Sequence, residues 1–430
     1  MVRMAEGSAV SAAAVAPPTR VRYSVLSFAV VTTMIMYMDR VAISSAVPAI
    51  QKEFGFSIIT MGWILSSFQW AYAIFQVPGG WLGDRFGPRR ALAAIIAWWS
   101  VFSSATALAW GAASMSVVRF LFGMGEAGAF SITTRAMSRW VLPTERGFAQ
   151  GATHAGSRLG GALTPALAAF LIARYGWRTP FWLFGSVGAV WAAAWYCYYR
   201  DTPSEHKSTN AAEQELIRSS LGTVRSAAGS AVPWKKILSS RQMWLLAAMY
   251  SCYAYIIGVY LVWFPKYLNA ERGFGLEKMG LYASLPLLAG TIGDLLGGWL
   301  TDQWAKRASL RMARVGMAVV GFLGGAAGIL AACFAPDPEI SVFYSCLALF
   351  SLELTVGSSW AIPLDIAGDY AGSVAGVMNT GGNLGGAIGL ALTAYLVEGY
   401  GWEMPFVVMS ALSLTAAVLF ININAGKRIV

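Results

Sequence analysis

The sequence predicts an all-α membrane protein in which twelve transmembrane helices form two parallel six-helix repeats. Three observations carry this expectation. Of 430 residues, 57% are hydrophobic and only 12% charged, about half the charged share of an ordinary soluble domain. Apolar stretches of about 20 or more residues recur along the chain, each long enough to cross about 30 Å of hydrocarbon as a helix. Two motifs from the first half return in the same order in the second.

The expected spans are 22–45, 58–82, 90–111, 114–137, 148–173 and 178–199, then 241–267, 279–303, 311–335, 340–363, 370–397 and 402–424. The first repeated motif, Gly79-Gly80-Trp81-Leu82-Gly83-Asp84-Arg85-Phe86-Gly87-Pro88-Arg89-Arg90, is echoed 218 residues later by Gly297-Gly298-Trp299-Leu300-Thr301-Asp302. Tyr175-Gly176-Trp177-Arg178-Thr179-Pro180-Phe181 returns 225 residues later as Tyr400-Gly401-Trp402-Glu403-Met404-Pro405-Phe406. The chain therefore divides into an N-terminal arm (1–21), a first bundle (22–200), a linker (201–240), a second bundle (241–424) and a tail (425–430). The arm is Ala-, Ser- and Pro-rich and expected to be disordered. Its apolar run at Ala9–Ala16 is too short for a signal-peptide core. The linker is polar, with Glu213, Glu215 and Arg218 in a short surface helix.

Basic residues set the orientation. With both termini inside, the inner loops and tails hold 21 of the 31 Lys and Arg, the outer loops six, and the spans four. Both termini are thus expected in the cytoplasm. The net charge of +10 reads as this anchoring bias, and a nucleic-acid partner is not expected. The four cysteines lack metal-type spacing and read as packing residues.

The loop between spans 2 and 3 combines glycines that permit a tight turn with Asp84, placed to meet a helix N-terminus or a basic partner, and with Arg85, Arg89 and Arg90, suited to an anionic leaflet. It resembles the signature loop of the major facilitator superfamily, and the resemblance runs from about residue 22 to 424. It implies a cytoplasmic gate made by Asp84, Arg85, Arg89 and Arg90, with Asp84 bridging the bundles. Asp302 is the echo, and Trp140-x-x-Pro143-x-Glu145-Arg146-Gly147 resembles the companion gating element, which adds Glu145 and Arg146.

A charge at mid-membrane costs about 2.5–3.5 kcal/mol on insertion scales, so such residues are expected to be paired and functional. Span 1 carries Asp39-Arg40. Span 4 carries Arg119 and Glu126, seven residues apart and hence on one helix face. Span 5 has His154 and Arg158, span 8 Asp294 and span 10 Glu353. The ions of spans 1 and 4 sum to zero, so an anion binds only once a carboxylate is protonated or an arginine freed. Arg40 would then take a carboxylate in bidentate fashion. Asp39–Arg40 and Arg119–Glu126 as static struts is the alternative.

Tyr37-Met38-Asp39-Arg40, Arg119-x-x-x-Gly123-x-Gly125-Glu126-Ala127-Gly128 and Trp263-Phe264-Pro265-x-Tyr267-Leu268 resemble the anion:cation symporter branch, which includes bacterial carriers of galactonate, glucarate and hexuronates. That resemblance implies a proton-coupled symporter of a sugar acid or related mono- or dicarboxylate in a bacterial inner membrane. The proton is its coupling ion, and no cofactor, metal or partner chain is needed. It implies that Asp39 and Glu126 take protons, that Arg119 tunes Asp39, and that Arg40, Tyr72 and Asn379 contact the anion. The galactonate carriers have a polar amide in span 5 where this chain has Ser157-Arg158. The added arginine points to a second anionic group on the substrate or to a partner for Glu353 or Asp294. Trp360 is a further candidate for the cavity wall, with packing as the alternative. A drug or cation exporter of the same fold fits poorly, since arginines lie in several spans and Pro165 is displaced from the exporter pattern. A membrane sensor lacks a signalling domain. No catalytic triad or phosphate-cradling loop is present, so an enzyme is not expected.

Overall fold

In the computed structural model, residues 17–56, 58–221, 232–274 and 276–429 are described. The arm expected to be disordered lies outside them over 1–16, as does part of the linker. The arm's last residues are ordered: Thr19 bonds to Asn210 and Glu213, and a helix begins at Val21. The described residues form α1 (Val21–Phe54), α2 (Ile58–Phe86), α3 (Pro88–Thr106), α4 (Ala112–Glu126), α5 (Ala129–Trp140), α6 (Arg146–Tyr175) and α7 (Thr179–Tyr198). The linker holds α8 (Ala211–Leu221) and α9 (Trp234–Ser239). Then follow α10 (Arg241–Val262), α11 (Phe264–Ala270), α12 (Leu276–Ala305), α13 (Leu310–Phe334), α14 (Pro338–Glu353), α15 (Val356–Ala367), α16 (Ala371–Tyr400) and α17 (Glu403–Ile421).

Every expected span falls on helix, and among the described residues there is no strand. An all-helical answer follows from the apolar composition, because only intrahelical bonding satisfies the backbone where water is absent. Among the described residues, seven helical stretches, from Val21–Val47 to Glu403–Ile421, are long and apolar enough to cross a bilayer by length and composition. Three expected spans are broken, span 7 at Trp263 between α10 and α11 and two others at matching places. Span 4 divides after Glu126 into α4 and α5, and span 10 divides after Glu353 into α14 and α15. The two matching breaks lie 227 residues apart, in step with the sequence echoes. Each leaves a buried carboxylate at the end of its first segment.

Within the first half α1 packs on α6, α2 on α4 and α3 on α7; within the second α10 packs on α16, α13 on α14 and α12 on α14. The halves meet where α6 lies on α12 and α2 on α16. Small residues make these approaches possible. A side chain at Gly80 would stand 2.3 Å from the Gly372 carbonyl oxygen, and one at Gly298 2.4 Å from that of Gly147. The glycines of the repeated motif therefore let the halves touch, backbone against backbone.

The linker helix is more than a surface feature. Glu213 is fully buried and accepts from the Val21 and Arg22 amides at 3.1 and 3.2 Å and from the Thr19 hydroxyl at 2.6 Å. It caps the open N-terminus of α1, where four amides lack intrahelical partners.

Candidate functional site

The charges of spans 1 and 4 do converge, but in different pairs from those their sequence neighbours suggest. Arg40 Nε lies 3.2 Å from Glu126 Oε2. Its guanidinium also sits over the rings of Tyr72, Tyr37 and Phe68, at 4.4, 4.8 and 5.1 Å from their centroids. Desolvated contacts of this kind are worth up to about 2 kcal/mol each. Asp39, beside Arg40 in the chain, accepts instead from the Ser103 hydroxyl at 2.5 Å. Arg119 stacks on Phe122 and Phe68 at 4.5 and 5.2 Å. The Arg119–Glu126 strut does not form, because α4 ends at Glu126 and its carboxylate meets α1.

Several polar atoms in this cluster are buried without a hydrogen-bond partner: Arg40 Nη2, Arg119 Nε and Nη1, Asp39 Oδ2 and Glu126 Oε1. Unmade hydrogen bonds at buried charged groups are costly. The pattern suits a site that completes its bonds with something added. The donors belong to two guanidiniums and the acceptors to two carboxyls, so an anion would satisfy the former and protons the latter.

Arg158 takes the pairing role rather than standing free for a second anionic group. Its Nε lies 2.6 Å from Asp294 Oδ2 and its Nη2 2.5 Å from Glu353 Oε1. It also donates to the Tyr253 hydroxyl at 3.2 Å, which itself donates to Glu353 Oε2 at 2.6 Å. The arginine belongs to the first half, and its three partners belong to the second. Beside it, His154 stacks on Phe130 at 4.7 Å and lies 4.9 Å from Trp360. Trp360 is buried and donates to the Tyr250 hydroxyl at 2.9 Å. The Ser157 hydroxyl bonds back to the His154 carbonyl at 2.7 Å. Asn379 donates to Gln76 Oε1 across the halves at 3.0 Å.

At the end bearing the chain termini, the repeated aspartates do the same thing twice. Asp84 accepts from the amides of Gly372 and Ser373 at 3.2 and 2.7 Å, the second and third residues of α16. Asp302 accepts from the amides of Gly147 and Phe148 at 3.0 and 2.6 Å, the second and third residues of α6. Each thus caps a helix of the opposite half, where a carboxylate is favoured by the orphan amides and the helix dipole. Asp84 lies beyond the expected end of span 2. Burial pushes its carboxyl up to about 6, with Arg135 and the Ser373 contacts pulling the other way.

Two arginines not expected in this role, Arg135 and Arg314, close the network together with the expected Arg146. Arg135 lies 3.3 Å from Asp84 and 3.0 Å from Asp369, while Arg314 lies 3.0 Å from Asp302 and 3.3 Å from Asp365. Arg146 reaches Asp365 at 2.7 Å. The signal for Arg135 was its place inside expected span 4. The other candidates stay within their own half. Arg85 stacks on Trp81 at 6.0 Å. The Arg89 side chain donates to the Tyr196 carbonyl at 2.9 Å, and Arg90 is exposed. Glu145 pairs with Arg22 at 3.3 Å and accepts from Tyr23 at 2.8 Å. Arg85 closes the last turn of α2, while Arg89 and Arg90 lie past the end of that helix.

A helical chain joined in two halves by reciprocal Asp caps can be set beside known proteins. The Major Facilitator Superfamily pattern matches residues 29–389. The chain belongs to that superfamily. It is 39% identical over 407 residues to a probable sulfoacetate transporter of Cupriavidus necator, covering 94% of each chain. It is 31% identical to a D-galactonate transporter of Escherichia coli O6:H1, covering 94% of this chain and 96% of that one. Among solved structures, the proton:xylose symporter XylE matches with a TM-score of 0.74 at 15% identity, over 95% of this chain and 97% of that one. This superfamily member is a multi-pass membrane protein and a secondary transporter homologous to organic-anion and sugar-acid carriers, not an enzyme. Among the described residues no group of three or more His, Cys, Asp or Glu is placed to hold a metal ion.

Proposed function

We propose that this transporter moves a small organic anion together with protons by alternating access, with Arg40 as the principal anion-binding group. The observation that carries the reading is the Arg40 guanidinium, held over three aromatic rings and bonded to Glu126 on one edge while Nη2 is buried without a partner. In this reading Asp39 and Glu126 accept protons, Arg119 sets the field around Asp39, and Tyr72 and Asn379 line the anion's place. Protonating Glu126 frees the Arg40 edge for a carboxylate or sulfonate. The relatives favour sulfoacetate or a sugar acid as the anion.

The rest of the reading concerns the frame. Twelve crossings in two six-helix repeats, both termini in the cytoplasm of a bacterial cell, and a monomer acting alone are the arrangement we infer. The two aspartate caps and the arginines around them then form a cytoplasmic gate, engaged in this state. The test is uptake of labelled sulfoacetate, D-galactonate and hexuronates into proteoliposomes under an inward proton gradient. Gradient-dependent uptake of at least one, abolished in Arg40→Ala, is expected. Uptake of these acids that ignores the gradient rejects proton coupling, and wild-type uptake by Arg40→Ala removes Arg40 from the site.

A further inference from the structure

The contact of Arg158 with Asp294 and Glu353 stands twelve residues beyond Arg146, about 18 Å along α6, so it is separate from the gate. Both carboxylates are 0% exposed. The ion pairs of the described residues give them a single cation, Arg158. With both ionised the group carries a net negative charge in a water-poor interior. Two carboxylates sharing a site do not both ionise readily, and an uncompensated buried charge costs several kcal/mol.

The hydrogen bonds point the same way. Tyr253 has one hydroxyl proton, and it is spent on Glu353 Oε2 at 2.6 Å. Arg158 Nε is spent on Asp294 Oδ2. Asp294 Oδ1 and Glu353 Oε1 are both buried without a hydrogen-bond donor, the latter held only as an ion pair, and the one Arg158 guanidinium bridges the two carboxylates. The other titratable neighbours supply none. His154, also on α6, is stacked between Phe130 and Trp360 with its Nε2 unbonded, and Tyr250 accepts from Trp360 while Asp294 Oδ1 stays without a donor.

We propose that Asp294 and Glu353 hold one proton between them and form a proton-coupling site in the second half, additional to Asp39 and Glu126 and read by Arg158 across the interface. It rests on the proton-coupled reading above and deepens it. The cation sits on one half and the acid pair on the other. Parting the halves withdraws Arg158, so the occupancy of this proton is tied to which side is open. Glu353 occupies the place in its broken span that Glu126 occupies in the first half, so each repeat brings an acid at its helix break to an arginine.

Two measurements test this. Infrared difference spectroscopy of the purified protein between neutral and alkaline pH reads protonated carboxyl groups without substrate. A carboxylic-acid band that survives in Asp39→Asn/Glu126→Gln and is lost in both Asp294→Asn and Glu353→Gln is expected. Loss in only one, or in neither, overturns a shared proton. If either amide variant fails to fold, the band in the Asp39→Asn/Glu126→Gln protein decides, and its absence there overturns the proposal. The second measurement balances a sulfoacetate or D-galactonate gradient against a proton gradient in proteoliposomes. Both amide variants are expected to need one proton fewer per anion than wild type. An unchanged ratio overturns the coupling role. Wild-type uptake indifferent to the gradient rejects the transport reading instead, and leaves the infrared result to judge the shared proton.

Discussion

The two buried charge clusters of this transporter differ in one respect that separates their jobs. Asp39, Arg40, Arg119 and Glu126 lie within one half and their charges cancel. Arg158, Asp294 and Glu353 straddle both halves, with two acids to one base. A neutral cluster within a rigid bundle changes little when the halves move, but it opens to a ligand when its internal pair is broken by a proton. A cluster shared between halves must change whenever they part.

The largest effect should come from breaking the shared cluster. Arg158→Ala leaves two buried acids without their cation, and removal of one partner from such a group costs about 3–5 kcal/mol. A clear fall in the thermal midpoint of the solubilised protein is expected, and an unchanged midpoint would mean that the acids are not jointly held by Arg158. Next comes Arg40→Ala, for which anion affinity should fall about 100-fold, the worth of charge-assisted hydrogen bonds of about 1.5–3 kcal/mol. Arg40→Lys should recover only part of it, since an ammonium cannot match a planar anion with two parallel bonds. Binding titrations in detergent read both.

The gate sharpens the comparison, because its two aspartates are equivalents within the repeat. Asp84→Asn and Asp302→Asn each remove a charged helix cap worth about 1–2 kcal/mol. Each should move the closed-to-open ratio about tenfold, read as spin-label distances between the halves at the terminal end. An effect confined to one of them would break the equivalence. The smallest effect is expected at the opposite end, where Glu53 accepts from Arg178 at 2.8 and 2.7 Å and from Trp177 at 2.7 Å. These bonds, Arg178 foremost, hold its carboxyl below the usual value of 4.5. A depressed carboxyl stabilises the fold above its unfolded value and loses that contribution as pH falls through the folded one. Glu53→Gln should therefore lower the thermal midpoint slightly at pH 7, with the difference shrinking as pH falls below 4.5 and gone once the folded carboxyl is protonated.

Much of this was legible in the sequence. The apolar stretches, the paired motifs and the intramembrane charges marked helical spans and candidate residues, with Asp84 coming from the motif's resemblance and Asp302 from its echo. The partners of each charge were not legible. Spacing along one helix put Arg119 and Glu126 on a common face, yet Glu126 meets Arg40 because α4 stops there. Adjacent Asp39 and Arg40 point to different neighbours. Arg85, Arg89 and Arg90 carried the motif, whereas Arg135 reaches Asp369, Arg146 reaches Asp365 and Arg314 reaches the Pro143 carbonyl across the halves. Glu213 read as a surface residue and caps α1. In each case the decisive contact joins residues far apart in the chain, and helical periodicity says nothing about such pairs.

The central claim is that a proton on Glu126 releases Arg40 to the anion. Reconstituted Glu126→Gln, with the releasing proton mimicked permanently, tests it most directly in paired assays of gradient-driven accumulation and substrate exchange. The account predicts exchange at near wild-type rate with accumulation weakened by the one proton lost. Normal accumulation, or loss of exchange in a folded protein that still binds the anion, would contradict it.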